Sequence, residues 1–281
     1  MKTATSISGG MTSAYLSANY PTEYLVFSLI RTSDTNCKFK DRGIAKIVEE
    51  RINKPFVGTL EDDIIIRTIL DLEQFLGRKI IWLSGITYDE LNKEKYGGYL
   101  PSVLRRYCTT ELKLRPIFNW WYKNIKEPIE MNIGFRANEK SRADRMMSKT
   151  NEQGLSVFKS TFEKGRTGRN KWVTKAWQKP NFPLIRDFIY KEDINKFWKG
   201  KNVKFAKLNN CIGCFHRSSA LLKEMSEIHP EKFDWFVNQE NLGKGTWKET
   251  VSYQKIKDLN FTPKLNFKAD SEGCSSGYCG F

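Results

Sequence analysis

The order of its first segments constrains this chain most. Residues 3–7 (TATSI) form a short β-prone run that breaks at Ser8-Gly9-Gly10, and residues 12–19 then carry a helical pattern that ends at Pro21. Residues 24–30 (YLVFSLI) are a near-continuous apolar run, as expected of a parallel strand buried on both faces. Residues 41–51 read as a helix with Ile44, Ile47, Val48 and Ile52 on one face. Residues 55–59 are readable as a third strand and 62–76 as a second strong helix. Strand, helix, strand, helix in this order points to an α/β fold, a doubly wound and mostly parallel sheet of Rossmann-like type.

Farther along, 89–99 reads as a charged loop, 110–122 as a helix despite Pro116, and 130–134 (EMNIG) as another short strand. Residues 159–179 are strongly basic and irregular, with Gly165 and Gly168 placed to form the tip of a hairpin. A helix is expected near 191–198, a tight cysteine loop at 210–216, and helices at 218–229 and from 230 onward. From 262 the chain loses periodicity and becomes a Gly/Ser-rich tail. The expected organisation is an α/β domain over 1–190 with a basic insertion at 158–179, a helical subdomain over 191–261, and a cysteine-containing tail over 262–281.

A chain of 281 residues with 40% apolar composition can bury one large core. No apolar run approaches the ~20 residues of a membrane helix, and the N-terminus lacks the apolar stretch of a signal peptide, so a cytoplasmic protein without membrane contact is expected. The net charge of +15 favours polyanionic partners, either nucleic acid or phosphate-rich substrates. The six cysteines are unevenly spaced, which suits metal or redox chemistry better than a disulfide framework.

Ser8-Gly9-Gly10-Met11-Thr12-Ser13 lies between the first strand and the first helix. Glycines there let backbone N–H groups approach phosphate oxygens, the helix adds its N-terminal dipole, and the hydroxyls of Ser8, Thr12 and Ser13 add donors. The first βα crossover is also where such sheets bind ligands. This segment resembles the SGGxxS pyrophosphate loop of the adenine nucleotide α-hydrolase-like (ATP pyrophosphatase) superfamily. Arg106-Tyr107-Cys108-Thr109 with Leu112-Lys113 and Pro116, residues 132–142 (NIGFRANEKSR), Pro183-Leu184, Asp193-Ile194 and Cys211-x2-Cys214 follow in the order of its phosphoadenosine phosphosulfate (PAPS) reductase branch. The resemblance spans roughly residues 3 to 240 and is closest to compact phage and mobile-element members. One departure is Met11-Thr12, where the family often has Lys-Asp; a lysine contact to phosphate is lost or comes from elsewhere.

The resemblance implies an enzyme of sulfur chemistry that binds ATP or a PAPS-type nucleotide, with magnesium as a further cofactor and a thioredoxin-like protein as reductant. It reduces a sulfonucleotide or transfers sulfur in an ATP-dependent reaction, with nucleic acid as one acceptor. The alternative is a catalytically inactive nucleotide- or nucleic-acid-binding regulator of phage or mobile-element origin. By the same resemblance Arg136, Glu139 and Arg142 face the anionic end of the nucleotide, and adenine lies against the second strand near Phe27 and Ser28. Cys279, with Cys274 as a resolving partner, takes the place of the reductases' C-terminal nucleophile. Cys211 and Cys214 supply two thiolates of a metal site and Cys108 the best third. That set suits a [4Fe–4S] cluster, or zinc with His216 as a fourth ligand, or an empty vestige. Lys164, Arg166, Arg169 and Lys171, interleaved with aromatics in the basic stretch, are the candidate nucleic-acid contacts.

Overall fold

The structure is a computed structural model; it describes residues 1–164 and 166–260, leaving aside the side chains of Glu163 and Lys164. Six strands form one sheet in the order β3-β2-β1-β4-β6-β5. They are β1 (Thr3–Ile7), β2 (Tyr24–Ser28), β3 (Ile81–Leu83), β4 (Ile129–Asn132), β5 (Ser156–Lys164) and β6 (Asn170–Asn181). Every pairing is parallel except that of β5 with β6. The order reverses between β1 and β4, which opens a crevice at their carboxyl ends.

The longer helices are α1 (Met11–Asn19), α2 (Arg42–Ile52), α3 (Ile64–Leu76), α4 (Arg115–Asn124), α5 (Lys140–Met147), α6 (Lys191–Trp198), α7 (Ser219–Ile228) and α8 (Pro230–Leu242). Side-chain alternation along β2 shows how they are used. Leu25 and Phe27 pack on one face with Leu16, Val48, Ile66, Ile69 and Trp198, so α1, α2, α3 and α6 cover that side. Val26 points to the other face, with Ile117, Phe118, Trp121 and Met146 of α4 and α5. A third core of Leu60, Leu112, Ile212, Phe215, Leu222, Phe233, Phe236 and Trp247 joins α7 and α8 to the loops leaving the sheet. No helix among the described residues is long and apolar enough to cross a membrane.

Three local expectations need correction. Residues 55–59 are not a strand; Gly58 makes only isolated bridges to Thr32 and Lys38, and β3 lies at Ile81–Leu83 instead. Pro55 has no N–H for a ladder. Gly58 also presses so close to the chain that a Cβ would sit 1.9 Å from the Cys37 carbonyl oxygen. The basic stretch is regular: β5 and β6 make a long antiparallel hairpin. Its period-2 pattern turns Phe158 and Phe162 inward onto Phe118 and Tyr122 of α4. Residues 89–99 are partly helical, with a π-turn at Leu91–Lys95.

The helix expected over 110–122 starts earlier and contains a π-segment, Thr110–Leu114, before α4. Pro116 cannot donate to the Leu112 carbonyl. That carbonyl instead accepts the Ser28 hydroxyl at 2.9 Å, which lays the segment across the carboxyl end of β2.

Candidate functional site

A cavity of about 140 Å³ opens at the β1/β4 reversal. Its floor is the turn after β1. Gly9 adopts φ +73°, and a Cβ on it would lie 2.6 Å from Ile65 Cγ2, so only glycine fits. Gly10 caps α1 with no side-chain hydrogen bond to the first-turn amides. The helix N-terminus therefore offers backbone N–H groups and the positive end of its dipole toward the cavity.

Ser8 and Ser13 are buried and knot the loop together. Asn209 Nδ2 donates to Ser8 Oγ (3.4 Å), Ser8 and Ser13 hydroxyls meet at 3.1 Å, the Ser8 N–H donates to Ser13 Oγ, and Ser13 Oγ donates to the Gly10 carbonyl. Thr12 and the backbone of Gly10 line the opening.

The opposite wall is the turn after β4. Gly134 lies against the start of α1, where a Cβ would meet Thr12 Cγ2 at 3.4 Å. Arg136 and Glu139 line the cavity. The Glu139 carboxylate accepts from the Arg136 Nε and backbone N–H, both at 3.0 Å, and also pairs with Arg142. Arg142 stacks over Phe135, 4.3 Å from the ring centroid. One carboxylate thus fixes two guanidinium groups and sets the orientation of Arg136 at the cavity wall.

Sequence reasoning missed the rest of the lining. Lys191 and Ile194 come from α6, Lys207 and Asn209 from the segment before the cysteine loop, and Arg217 from beyond it. The cavity wall therefore carries Arg136, Lys191, Lys207 and Arg217 against one acid, Glu139. Cations absent from the Met11-Thr12 turn are present on other elements. The signal for Asn209 and Arg217 was their adjacency to the cysteine loop; nothing local marked Lys191 or Lys207.

Phe27 and Ser28 lie elsewhere. Phe27 packs edge-on against Trp82 in the core, and Ser28 is covered by the π-segment. With Ser8 and Lys113 they line a tight space under the loop, so their side chains do not reach the cationic cavity.

A second cavity adjoins the first. Cys108, Cys211 and Cys214 all line it, with Tyr88, Lys113, Asn210, His216 and Phe236 among their neighbours. The pair and the distant single cysteine are brought together by two contacts. Cys211 bridges Glu61, and the Ile212 N–H donates to the Leu60 carbonyl at 2.8 Å. Lys113, from the segment that carries Cys108, donates to Glu61 Oε1 at 3.0 Å, with both side chains buried. Gly213 is required in the loop, since a Cβ would fall 2.4 Å from the Phe236 ring.

Burial, reinforced by Cys214, pushes the Cys108 thiol up to about 11, opposed by a hydrogen bond from Tyr88. Burial and then Glu61 raise Cys211 well above the usual thiol range. Burial and the nearby Arg106 lower His216 to about 4, and Arg106 donates to its Nδ1 at 3.2 Å, so the neutral imidazole carries its proton on Nε2. Among the described residues no three His, Cys, Asp or Glu side chains are grouped around a single metal position. The thiols ring a cavity and do not meet at one point.

Asn210 joins the two cavities. It is buried, and its Oδ1 accepts from Arg217 Nη2 at 3.2 Å. Arginine is only a donor, so the amide nitrogen must face the other way; that Nδ2 has no hydrogen-bond partner. Unpartnered buried donors are rare and cost about 1–3 kcal/mol, so this one suits an acceptor bound among the thiols.

Elsewhere, Arg166, Arg169 and Lys171 are exposed at the hairpin, and Lys164 has only its backbone described, in β5. Trp172 is half exposed, with Lys159 over its ring at 5.4 Å. Trp177 is buried in the core. Cys37 is buried as a small apolar side chain. Cys274 and Cys279 lie outside the described residues. No protein-family model, curated protein or solved structure matches this chain.

Proposed function

We propose that this chain is a PAPS reductase-like enzyme of the adenine nucleotide α-hydrolase-like type, which binds ATP or a sulfonucleotide and carries out sulfur chemistry. The observation that carries this reading is the contact between a cation-rich cavity at the strand-order reversal and a three-thiol cavity, joined through Asn209-Asn210-Cys211. The α1 N-terminus and Arg136 hold the phosphates or sulfate, and Lys191, Lys207 and Arg217 neutralise the remaining charge. Met11, Ile194 and Ala206 give the same cavity an apolar side for the nucleoside.

We place an iron–sulfur group at the second cavity on the chemistry of its donors. The three thiols would have to lose their protons and draw together to ligate it, Asn210 Nδ2 could donate to its sulfur, and the buried Lys113 would offset its negative charge. Such a group supplies electrons or an open iron for a sulfur ligand. The chain's own residues position the nucleotide's anhydride beside it and keep water out with Ile30, Phe215 and Phe236.

Turnover of ATP and PAPS by protein purified without oxygen, with its visible spectrum and metal content, tests the proposal. Nucleotide cleavage with an iron–sulfur absorption is expected. Zinc in a colourless active protein would replace the cluster assignment. Nucleotide binding with neither turnover nor metal would overturn the enzyme reading in favour of a nucleotide-binding regulator.

A further inference from the structure

A third cavity, of about 560 Å³, opens at the carboxyl end of β3 on the far side of the π-segment. It is within the range of small-ligand sites and is separate from the cationic and thiol cavities. Ser84, Gly85 and Ile86 form its floor, and α4 forms a wall with Asn119, Trp120, Lys123 and Asn124. Lys54, Lys95 and Arg115 complete the rim, and the acid among the lining residues is Glu111. Glu111 is already committed, paired with both Lys95 and Arg115. Lys54 donates to the Ser84 and Gly85 carbonyls at 2.8 and 2.9 Å and so keeps its charge at the rim.

Lys54, Lys95, Arg115 and Lys123 against the single acid Glu111 leave a net charge of +3 on the lining, which calls for an anion. A tryptophan and two asparagine amides in the same wall call for a flat, hydrogen-bonding ring. A nucleotide combines both. The setting favours one within a strand over a free one. Arg115 and Asn119 on the cavity wall contact Ser160 of β5, at 2.8 and 3.3 Å. The cavity therefore adjoins the hairpin, on which Lys159, Arg166, Arg169, Lys171, Lys175 and Lys179 are all exposed.

We infer that this cavity receives one unstacked nucleotide of a single-stranded nucleic acid. The base lies on Trp120 with its edge toward Asn119 or Asn124, the phosphates lie on Lys95 and Lys123, and the strand runs out along the hairpin. Docking stands independently of the proposed function; the further step, that this strand is the acceptor in sulfur transfer, rests on it.

The test is binding of short fluorescein-labelled single-stranded RNA and DNA, read by anisotropy at several salt concentrations without ATP. The wild-type protein should bind, more weakly as salt rises. Trp120→Ala should weaken binding about 5- to 150-fold, Trp120→Phe should restore most of it, and Lys123→Glu should reduce both affinity and salt dependence. Binding that is unchanged in Trp120→Ala, or lost equally in Trp120→Phe, overturns the inference and leaves the hairpin as the contact. Failure of the wild type to bind either strand also overturns it. ATP and PAPS titrated into Trp120→Ala should match wild type, so loss of the nucleotide reading would show there separately.

Discussion

Lys113 and Glu61 form a buried ion pair that holds the cysteine-bearing segments together, and removing one partner should be costly. Their side chains are 7% and 2% exposed and 3.0 Å apart. At an effective dielectric of about 20 that separation gives an attraction of roughly 5–6 kcal/mol. Lys113→Met strands the Glu61 carboxylate in the interior, for which losses of about 3–5 kcal/mol are usual. The expected loss, read from urea unfolding, is in that range. Cys108 should also react faster with a thiol reagent, because its segment is no longer clipped to the strand-like run that bridges Cys211. Adding Glu61→Leu removes the stranded charge and should return stability to within about 1 kcal/mol of wild type. A single-variant loss under about 1 kcal/mol, or a double variant as unstable as the sum of its singles, would refute the clip.

Two further outcomes follow from the loops around the site. Gly9→Ala forces a Cβ into a left-handed position 2.6 Å from Ile65 Cγ2, so unfolding stability should fall by about 2–4 kcal/mol. A loss no larger than that of Gly43→Ala, where the nearest atom is 3.4 Å away, would contradict it. Burial raises the Asp62 carboxyl, but hydrogen bonds from His229 and the Ile64 N–H outweigh it and hold it below its ordinary 3.8. The stability this confers is complete above the unfolded value and disappears as pH falls through the folded one. The difference between wild type and Asp62→Asn in urea should therefore shrink below pH 3.8; a pH-independent difference would show that the carboxylate charge is not involved.

The fold was legible where one local rule dominated. The apolar run of β2 and the Gly-Gly break after β1 marked a parallel sheet with a sharp strand-to-helix turn, and both stand in the structure. Cys108, Cys211 and Cys214 line one cavity, as their grouping predicted, but they are not gathered around a single metal position as shared ligation would require. β3 was missed because three residues carry too short a pattern. A hairpin tip was readable from the glycines of the basic stretch, but its two regular strands were not, because the basic residues hid the alternation of Phe158, Ser160 and Phe162. In the site, Ser8 to Ser13 and Arg136 follow strands and could be placed by topology. Lys191, Lys207 and Arg217 reach the cavity only through tertiary packing of the later segments, which no spacing in the sequence encodes. Phe27 and Ser28 were expected beside adenine through the β2 backbone; their side chains turn into the core and under the π-segment.

Calorimetric titration of ATP and PAPS into wild type, Arg136→Ala and Gly10→Val tests the central claim most directly. A Cβ at Gly10 meets the Asn209 amide at 2.6 Å, so a bulky side chain there displaces Asn209 from Ser8 and deforms the turn. At least one of the two nucleotides should bind wild type at a single site. Arg136→Ala should weaken that binding by about 1–3 kcal/mol, and Gly10→Val should abolish it in a protein that remains folded. No binding of either nucleotide to wild type, or equal affinity in all three proteins, would contradict the assignment of the β1/β4 cavity as the nucleotide site.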